Sequence, residues 1–191
     1  MVDAGRVIAG SARGIRLVAP GPGTRPLSDR VKQTLFAILE PELPGARVLD
    51  LFAGSGAAGI EALSRGAAAA TFVEADAGAL IVIGENLARA HVEDRGRAVR
   101  ADVTKWLAKD GLAAGPFDVV FVDPPYNQPA VLVRVLEMLG ATAGLVSPNA
   151  RVVAKHFWRD GPPKTIGLLA SDRERRFGET ALTFYRRQED G

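Results

Sequence analysis

Apolar residues recur along this chain in two rhythms. From Ala46 onward, short apolar runs at 46–51, 70–74, 97–101, 118–122 and 151–156 alternate with stretches of helical spacing near 57–65, 77–90, 103–109 and 129–140. Runs of five or six residues bounded by glycine or charge read as strands, and the longer periodic stretches read as helices. Such alternation predicts a parallel sheet joined by right-handed crossovers. The end of the chain breaks the rhythm. Segments 164–170 and 180–186 have no helical pattern between them, which predicts a terminal antiparallel hairpin. Five alternating strands and that hairpin make a seven-stranded, doubly wound (Rossmann-like) α/β sheet.

The residues before Ala46 follow a different plan. Apolar segments 6–9 and 14–18 flank Gly10-Ser11-Ala12-Arg13 and predict a hairpin. A loop rich in Gly and Pro, Pro20 to Pro26, leads to a helix over Asp29–Leu39. Ser28 is its expected N-cap and Val31, Leu35, Ile38 and Leu39 its apolar face. Pro41 and Pro44 end that helix. The simplest division is a hairpin-and-helix appendage over 1–43 and a main domain over 44–191.

Composition narrows the picture. A chain of 191 residues, 47% of them hydrophobic, is most simply one fold around a single core. The net charge is only +2, yet residues 1–32 hold six basic groups (Arg6, Arg13, Arg16, Arg25, Arg30, Lys32) against Asp3 and Asp29. A basic arm of this kind suits phosphate contacts, although a solvated surface would look the same. There is no cysteine, which excludes disulfides, cysteine-ligated zinc and cysteine nucleophiles and fits a reducing cytoplasm. No signal-like start and no uncharged apolar run near the roughly 20 residues of a membrane helix is present. The expectation is a cytoplasmic monomer without a membrane attachment.

Two short motifs carry the chemistry. Asp50-Leu-Phe-Ala-Gly-Ser-Gly56 follows the first strand of the main domain. Gly54, Gly56 and Gly59 have the G-x-G-x-x-G spacing, and Glu74 stands twenty residues beyond Gly54 at the end of the next strand. This turn suits a dinucleotide as well as S-adenosylmethionine, since both offer ribose hydroxyls to Glu74. Asp50 separates them. A carboxylate there repels a pyrophosphate and attracts the ammonium and sulfonium of S-adenosylmethionine. The plainer reading makes Asp50 a cap on the turn. Asp102, after the third strand, is placed to accept from an adenine amine, to cap the helix that follows, or both.

The second motif, Asp123-Pro-Pro-Tyr126, follows the strand at 118–122. The exocyclic amine of a nucleobase is a poor nucleophile and needs acceptors for its hydrogens. Asp123 supplies a carboxylate and Pro124 a backbone carbonyl. The prolines stiffen the turn, and Tyr126 offers a face on which an extruded base can stack. No metal is needed. Methylation at pyrimidine carbon 5 commonly uses a cysteine, which this chain lacks, so an amine is the consistent target.

With these residues in view, the chain resembles the RsmD-like family of small-subunit ribosomal RNA guanine-N2 methyltransferases. The likeness runs through Arg6–Gly14, Thr24–Val31, Val48–Gly56, Gly59–Gly66, Phe72–Glu74, Asp123–Tyr126 and Phe177–Thr180. It implies a seven-stranded methyltransferase sheet, S-adenosylmethionine as donor, and a guanine of 16S ribosomal RNA in the assembled or assembling small subunit as acceptor. By position, Asp50, Gly54, Gly56, Glu74 and Asp102 would contact cofactor, and Asp123, Pro124 and Tyr126 would hold the guanine amine. Arg6, Arg13, Arg16, Arg25 and Arg30 would grip RNA phosphates. Arg173, Arg175 and Arg176, interleaved with Asp172 and Glu174, read as a solvated loop, and Lys155 and His156 as an ordinary sheet edge.

Other classes compete. A DNA amino-methyltransferase could use the same Asp-Pro-Pro-Tyr, but no separate domain for reading duplex grooves is evident. A non-catalytic RNA-binding assembly factor would not need an intact motif, and a NAD-dependent dehydrogenase would not want Asp50.

Overall fold

The computed structural model describes residues 2–21, 27–141 and 144–188, and its contacts divide the chain into two units, 1–101 and 102–191. In the first unit, β3 (Arg47–Leu51), β4 (Ala69–Glu74) and β5 (Gly96–Arg100) run parallel in the order β5-β4-β3. The helices α2 (Ala57–Ser64) and α3 (Ala77–Arg89) are the crossovers. Strand β3 is buried along almost its whole length, as a strand of a parallel sheet must be when both faces are covered.

The hairpin is present, with its strands shifted. β1 (Val2–Arg6) pairs antiparallel with β2 (Arg16–Ala19), and the ladder runs on to Val7, whose N–H donates to the Ile15 carbonyl at 2.9 Å. Helix α1 (Asp29–Leu39) has the expected bounds, and the Val31 N–H donates to the Ser28 hydroxyl. Its last turn tightens into a 3-10 turn, Glu40–Glu42, that carries Pro41.

One cluster explains why two distant sequence blocks occur together. Glu61 of α2 is fully buried, and its carboxylate accepts from the N–H groups of Ile8 (2.7 Å) and Ala9 (3.1 Å) and from Arg65 (2.8 Å). The Ser64 hydroxyl accepts from Ala12 N–H and donates to the Ala9 carbonyl. A Cβ on Gly10 would lie 1.9 Å from the Ser64 carbonyl oxygen. The segment Glu61–Arg65 therefore folds the hairpin's turn onto α2, and the hairpin is part of the first unit.

The second unit contains β6 (Phe117–Val122), β7 (Val146–Phe157), β8 (Thr165–Ile166), β9 (Leu169–Phe177) and β10 (Thr180–Arg187), in the order β6-β7-β10-β9-β8. β6 and β7 are parallel, and the remaining pairs are antiparallel. Helix α4 (Val103–Trp106) passes through a π-helical stretch, Leu107–Gly111, into the short α5 (Leu112–Ala114). Helix α6 (Pro129–Ala141) is the crossover from β6 to β7.

Two expectations need correction. Besides the β1–β2 pair, the strands among the described residues number eight, three in the first unit and five in the second, where seven were expected. The segment 164–170 splits at Gly167 (φ +55), where the chain passes so close to Gly140 that a Cβ would lie 2.8 Å from its carbonyl oxygen. The closing hairpin is instead β9–β10, turning at Gly178-Glu179, so Arg173, Arg175 and Arg176 lie on a strand and not in a loop. Residues 172–176 are exposed on both faces, so they show none of the apolar alternation by which a strand is recognised in sequence.

Candidate active site

The first unit places the glycine turn at the mouth of β3. Phe52 (φ 60) turns the chain out of the strand and donates its N–H to the Val73 carbonyl at 3.0 Å. Three glycines follow with three different roles. Gly54 (φ +55) has no atom within 4 Å of where a Cβ would be, the open approach a ligand requires. Gly56 (φ +76) is the N-cap of α2. A Cβ on Gly59 would lie 2.3 Å from the Phe72 ring, so this glycine serves the close packing of α2 on β4.

Asp50 is buried, and its carboxylate accepts from the Gly59 N–H at 2.9 Å. The capping reading of this residue is therefore observed. It leaves a carboxylate beside the turn, on which the preference for a cationic ligand rests. Glu74 holds the turn from the other side. One oxygen accepts from Gly54 N–H and the other from Asp76 N–H, both at 2.9 Å. Each oxygen keeps a lone pair for a further donor.

Asp102 opens the second unit as the N-cap of α4. It accepts from the Thr104 hydroxyl (2.6 Å) and the Lys105 N–H (2.9 Å), and these hydrogen bonds, the Thr104 one foremost, hold its carboxyl below the ordinary range.

The second motif, Asp123-Pro-Pro-Tyr126, follows β6. Pro124 is buried and Asp123 half-buried. Lys155 Nζ lies 2.8 Å from the Asp123 carboxylate, a charge-assisted hydrogen bond. The side chain of Asp123 keeps 35% of its exposure, yet protein surrounds the carboxyl closely enough that desolvation pushes it above its ordinary value, with Lys155 acting in the opposite direction. The Tyr126 hydroxyl meets that of Thr180 at 2.7 Å, and Lys155 Nζ sits 5.2 Å from the centre of the Tyr126 ring.

Lys155 and Thr180 were missed as site residues. The parallel register aligns Val122 with Ala154, so the next residues along, Asp123 and Lys155, come level. That register was invisible in sequence, although Thr180 closes a block already matched to the family. His156 points elsewhere: it is buried, with its ring nitrogens on the Phe157 carbonyl and the Thr183 hydroxyl.

Of the basic arm, Arg6 pairs with Asp29 and Arg16 with Asp3, both at 3.0 Å on the surface. Arg13 and Arg30 are exposed, and Arg25 lies outside the described residues. Such exposed pairs are weak, on the order of 0–1 kcal/mol. Among the described residues there is no cluster of three His, Cys, Asp or Glu side chains suited to a metal, and no helix long and apolar enough to cross a membrane.

Comparison with known proteins accords with this geometry. The family described as conserved hypothetical protein 95 matches residues 5–186, nearly the whole chain and both motifs. This chain belongs to that family, the RsmD-like family. The RsmD-like chain is 36% identical over 187 residues to ribosomal RNA small subunit methyltransferase D of Escherichia coli (strain K12), covering 97% of this chain and 91% of the relative. Its structure is similar to that of Escherichia coli yhhF (35% identity, 97% and 98% of the two chains, TM-score 0.83). It is also similar to hypothetical protein TTHA0928 of Thermus thermophilus (33% identity, 94% and 97%, TM-score 0.77). SMU.776, solved in complex with SAH, shares 14% identity at a TM-score of 0.60 and bears on the fold alone.

Proposed function

We propose that this RsmD-like chain transfers a methyl group from S-adenosylmethionine to the exocyclic N2 amine of a guanine in 16S ribosomal RNA. The observation that carries the reading is the Asp123 carboxylate, half-buried at the mouth of β6 and held by Lys155, beside a tyrosine fixed through its hydroxyl. The relative named ribosomal RNA small subunit methyltransferase D supports ribosomal RNA as the acceptor.

The residues of the first unit fit the cofactor. The open approach at Gly54 and the carboxylates of Asp50 and Glu74 suit a ligand that is cationic at one end and offers ribose hydroxyls at the other. Asp102 is the acceptor proposed for the adenine amine. When bound, S-adenosylmethionine supplies an electrophilic methyl on its sulfonium.

The residues of the second unit act on the base. Asp123 and the Pro124 carbonyl accept the two hydrogens of the guanine amine and orient its lone pair. As the nitrogen gains the methyl and the S–CH3 bond of the donor breaks to leave neutral S-adenosylhomocysteine, one of the amine's protons would pass to the Asp123 carboxylate. A carboxyl raised by burial is the stronger base for that step, and the Lys155 ammonium keeps it ionised beforehand. Tyr126 carries the base on one face of its ring, and Lys155 occupies the other. Arg6, Arg13, Arg16, Arg25 and Arg30 contact RNA phosphates around the target.

The test supplies labelled S-adenosylmethionine with unmodified small subunits, naked 16S RNA and duplex DNA, followed by digestion to nucleosides and mass identification. N2-methylguanosine in the ribosomal samples alone is expected, and label in DNA overturns the reading. Asp123→Ala should keep cofactor affinity and lose at least about a hundredfold in transfer rate. Transfer at the parent rate would remove Asp123 from the site.

A further inference from the structure

Where β7 ends, Trp158 lies under two guanidinium groups. The central carbon of Arg176 stands 3.6 Å from the centre of its ring and that of Arg159 stands 4.9 Å from it. Both arginines are exposed, and among the described residues neither has a carboxylate within ion-pair distance. Arg176 is further fixed by its Nε–H, which donates to the Gly178 carbonyl at 2.9 Å. Two like charges gathered on one indole, neither paired with a carboxylate among the described residues, suit an anion.

The stack adjoins the methyl-accepting half of the site. Phe157 is the register partner of Thr180, whose hydroxyl meets that of Tyr126, and the Trp158 N–H donates to the Glu179 carbonyl at 3.0 Å. A blunted sheet edge accounts for Arg173 and Arg175, because among the described residues no strand pairs with the outer side of β9 beyond Ser171. That explanation does not reach Arg159, which follows β7, or the indole on which both arginines lie.

We propose that Arg159, Trp158 and Arg176 form a second RNA-contact site, which holds the phosphate backbone flanking the guanine to be methylated. This rests on ribosomal RNA being the acceptor. The planar guanidinium matches a phosphate with two parallel hydrogen bonds, and its stacking on the indole restricts the side chain before RNA arrives, so less freedom is lost on binding. An unpaired base next to the target can stack on the outer face of the guanidinium.

The test measures binding of fluorescent unmodified 16S RNA and of small subunits across a salt series, with methyl transfer and cofactor affinity followed alongside. The double variant Arg159→Ala/Arg176→Ala should bind RNA about tenfold more weakly, with a salt slope shallower by about 1.4 for two lost phosphate contacts. Its KM for RNA should rise while kcat, cofactor affinity and melting temperature stay near the parent's. Trp158→Leu keeps both charges and should weaken binding several-fold at an almost unchanged salt slope, which separates the stack from charge alone. Parent affinity and slope in the double variant would overturn the proposal. So would a loss confined to assembled subunits, which would place a ribosomal protein at the site. A parent that binds RNA through this patch and yet transfers no methyl would refute the activity and leave the contact site standing.

Discussion

Asn86 of α3 joins parts of the first unit that no sequence motif links. It is fully buried. Its side-chain oxygen accepts from Val18 N–H at 2.8 Å, and its amide nitrogen donates to the carbonyls of Val18 (2.8 Å) and Ser55 (2.9 Å). One side chain thus ties strand β2 to the glycine turn of the proposed cofactor site. Asn86→Ala removes three hydrogen bonds at about 1 kcal/mol each, an expected loss of about 3 kcal/mol before any cavity term. At roughly 2–4 °C per kcal/mol for a chain of this size, the melting temperature should fall by about 6–12 °C. Release of Ser55 forfeits about 1 kcal/mol of ordering at the turn, or roughly fivefold in S-adenosylmethionine affinity. Asn86→Asp is the discriminating variant. It preserves volume and the acceptor for Val18 N–H, yet turns the donor into a buried oxygen facing two carbonyls, so it should destabilise at least as much as alanine. Thermal and denaturant melts with calorimetric cofactor titration supply the measurements. An Asn86→Asp protein that melts with the parent would refute the account, because volume and not hydrogen bonding would then hold the turn.

Further consequences concern the proposed site and the glycines. Asp123 must be ionised to accept the amine hydrogens, so transfer should rise with pH through its raised pKa. Lys155→Met removes the charge that lowers that pKa, and the ascending limb of the pH–rate profile should move to higher pH; an unmoved limb would exclude the ion pair from the mechanism. Tyr126→Phe loses only the hydroxyl contact with Thr180, about 1 kcal/mol, and should keep single-turnover transfer within roughly tenfold. Tyr126→Ala loses the stacking face and should fall well below it, and equal rates for the two would argue against stacking. Gly59→Ala drives a methyl into the buried Phe72 ring and should cost about 1–3 kcal/mol of stability. Gly54→Ala meets no atom and pays only about 1–2 kcal/mol for its left-handed backbone, so its larger effect should be on cofactor affinity.

The parallel strands β3, β4, β6 and β7, helix α1 with its Ser28 cap, and both motifs were legible in the sequence, because a buried strand and an amphipathic helix advertise themselves through local apolar spacing. The glycine turn and Asp-Pro-Pro-Tyr were legible for a related reason: backbone freedom and rigidity are properties of residue type. What escaped was long-range. Lys155 looked like an edge residue until register set it level with Asp123, and Glu61 and Asn86 find hydrogen-bond partners in the hairpin, more than fifty positions away. Strand β9 escaped because its charged residues 172–176 carry no apolar face, and only pairing with β10 holds them extended. Local pattern reports which face a residue buries. Register and hydrogen-bond partners depend on residues dozens of positions away, and only the tertiary structure decides them.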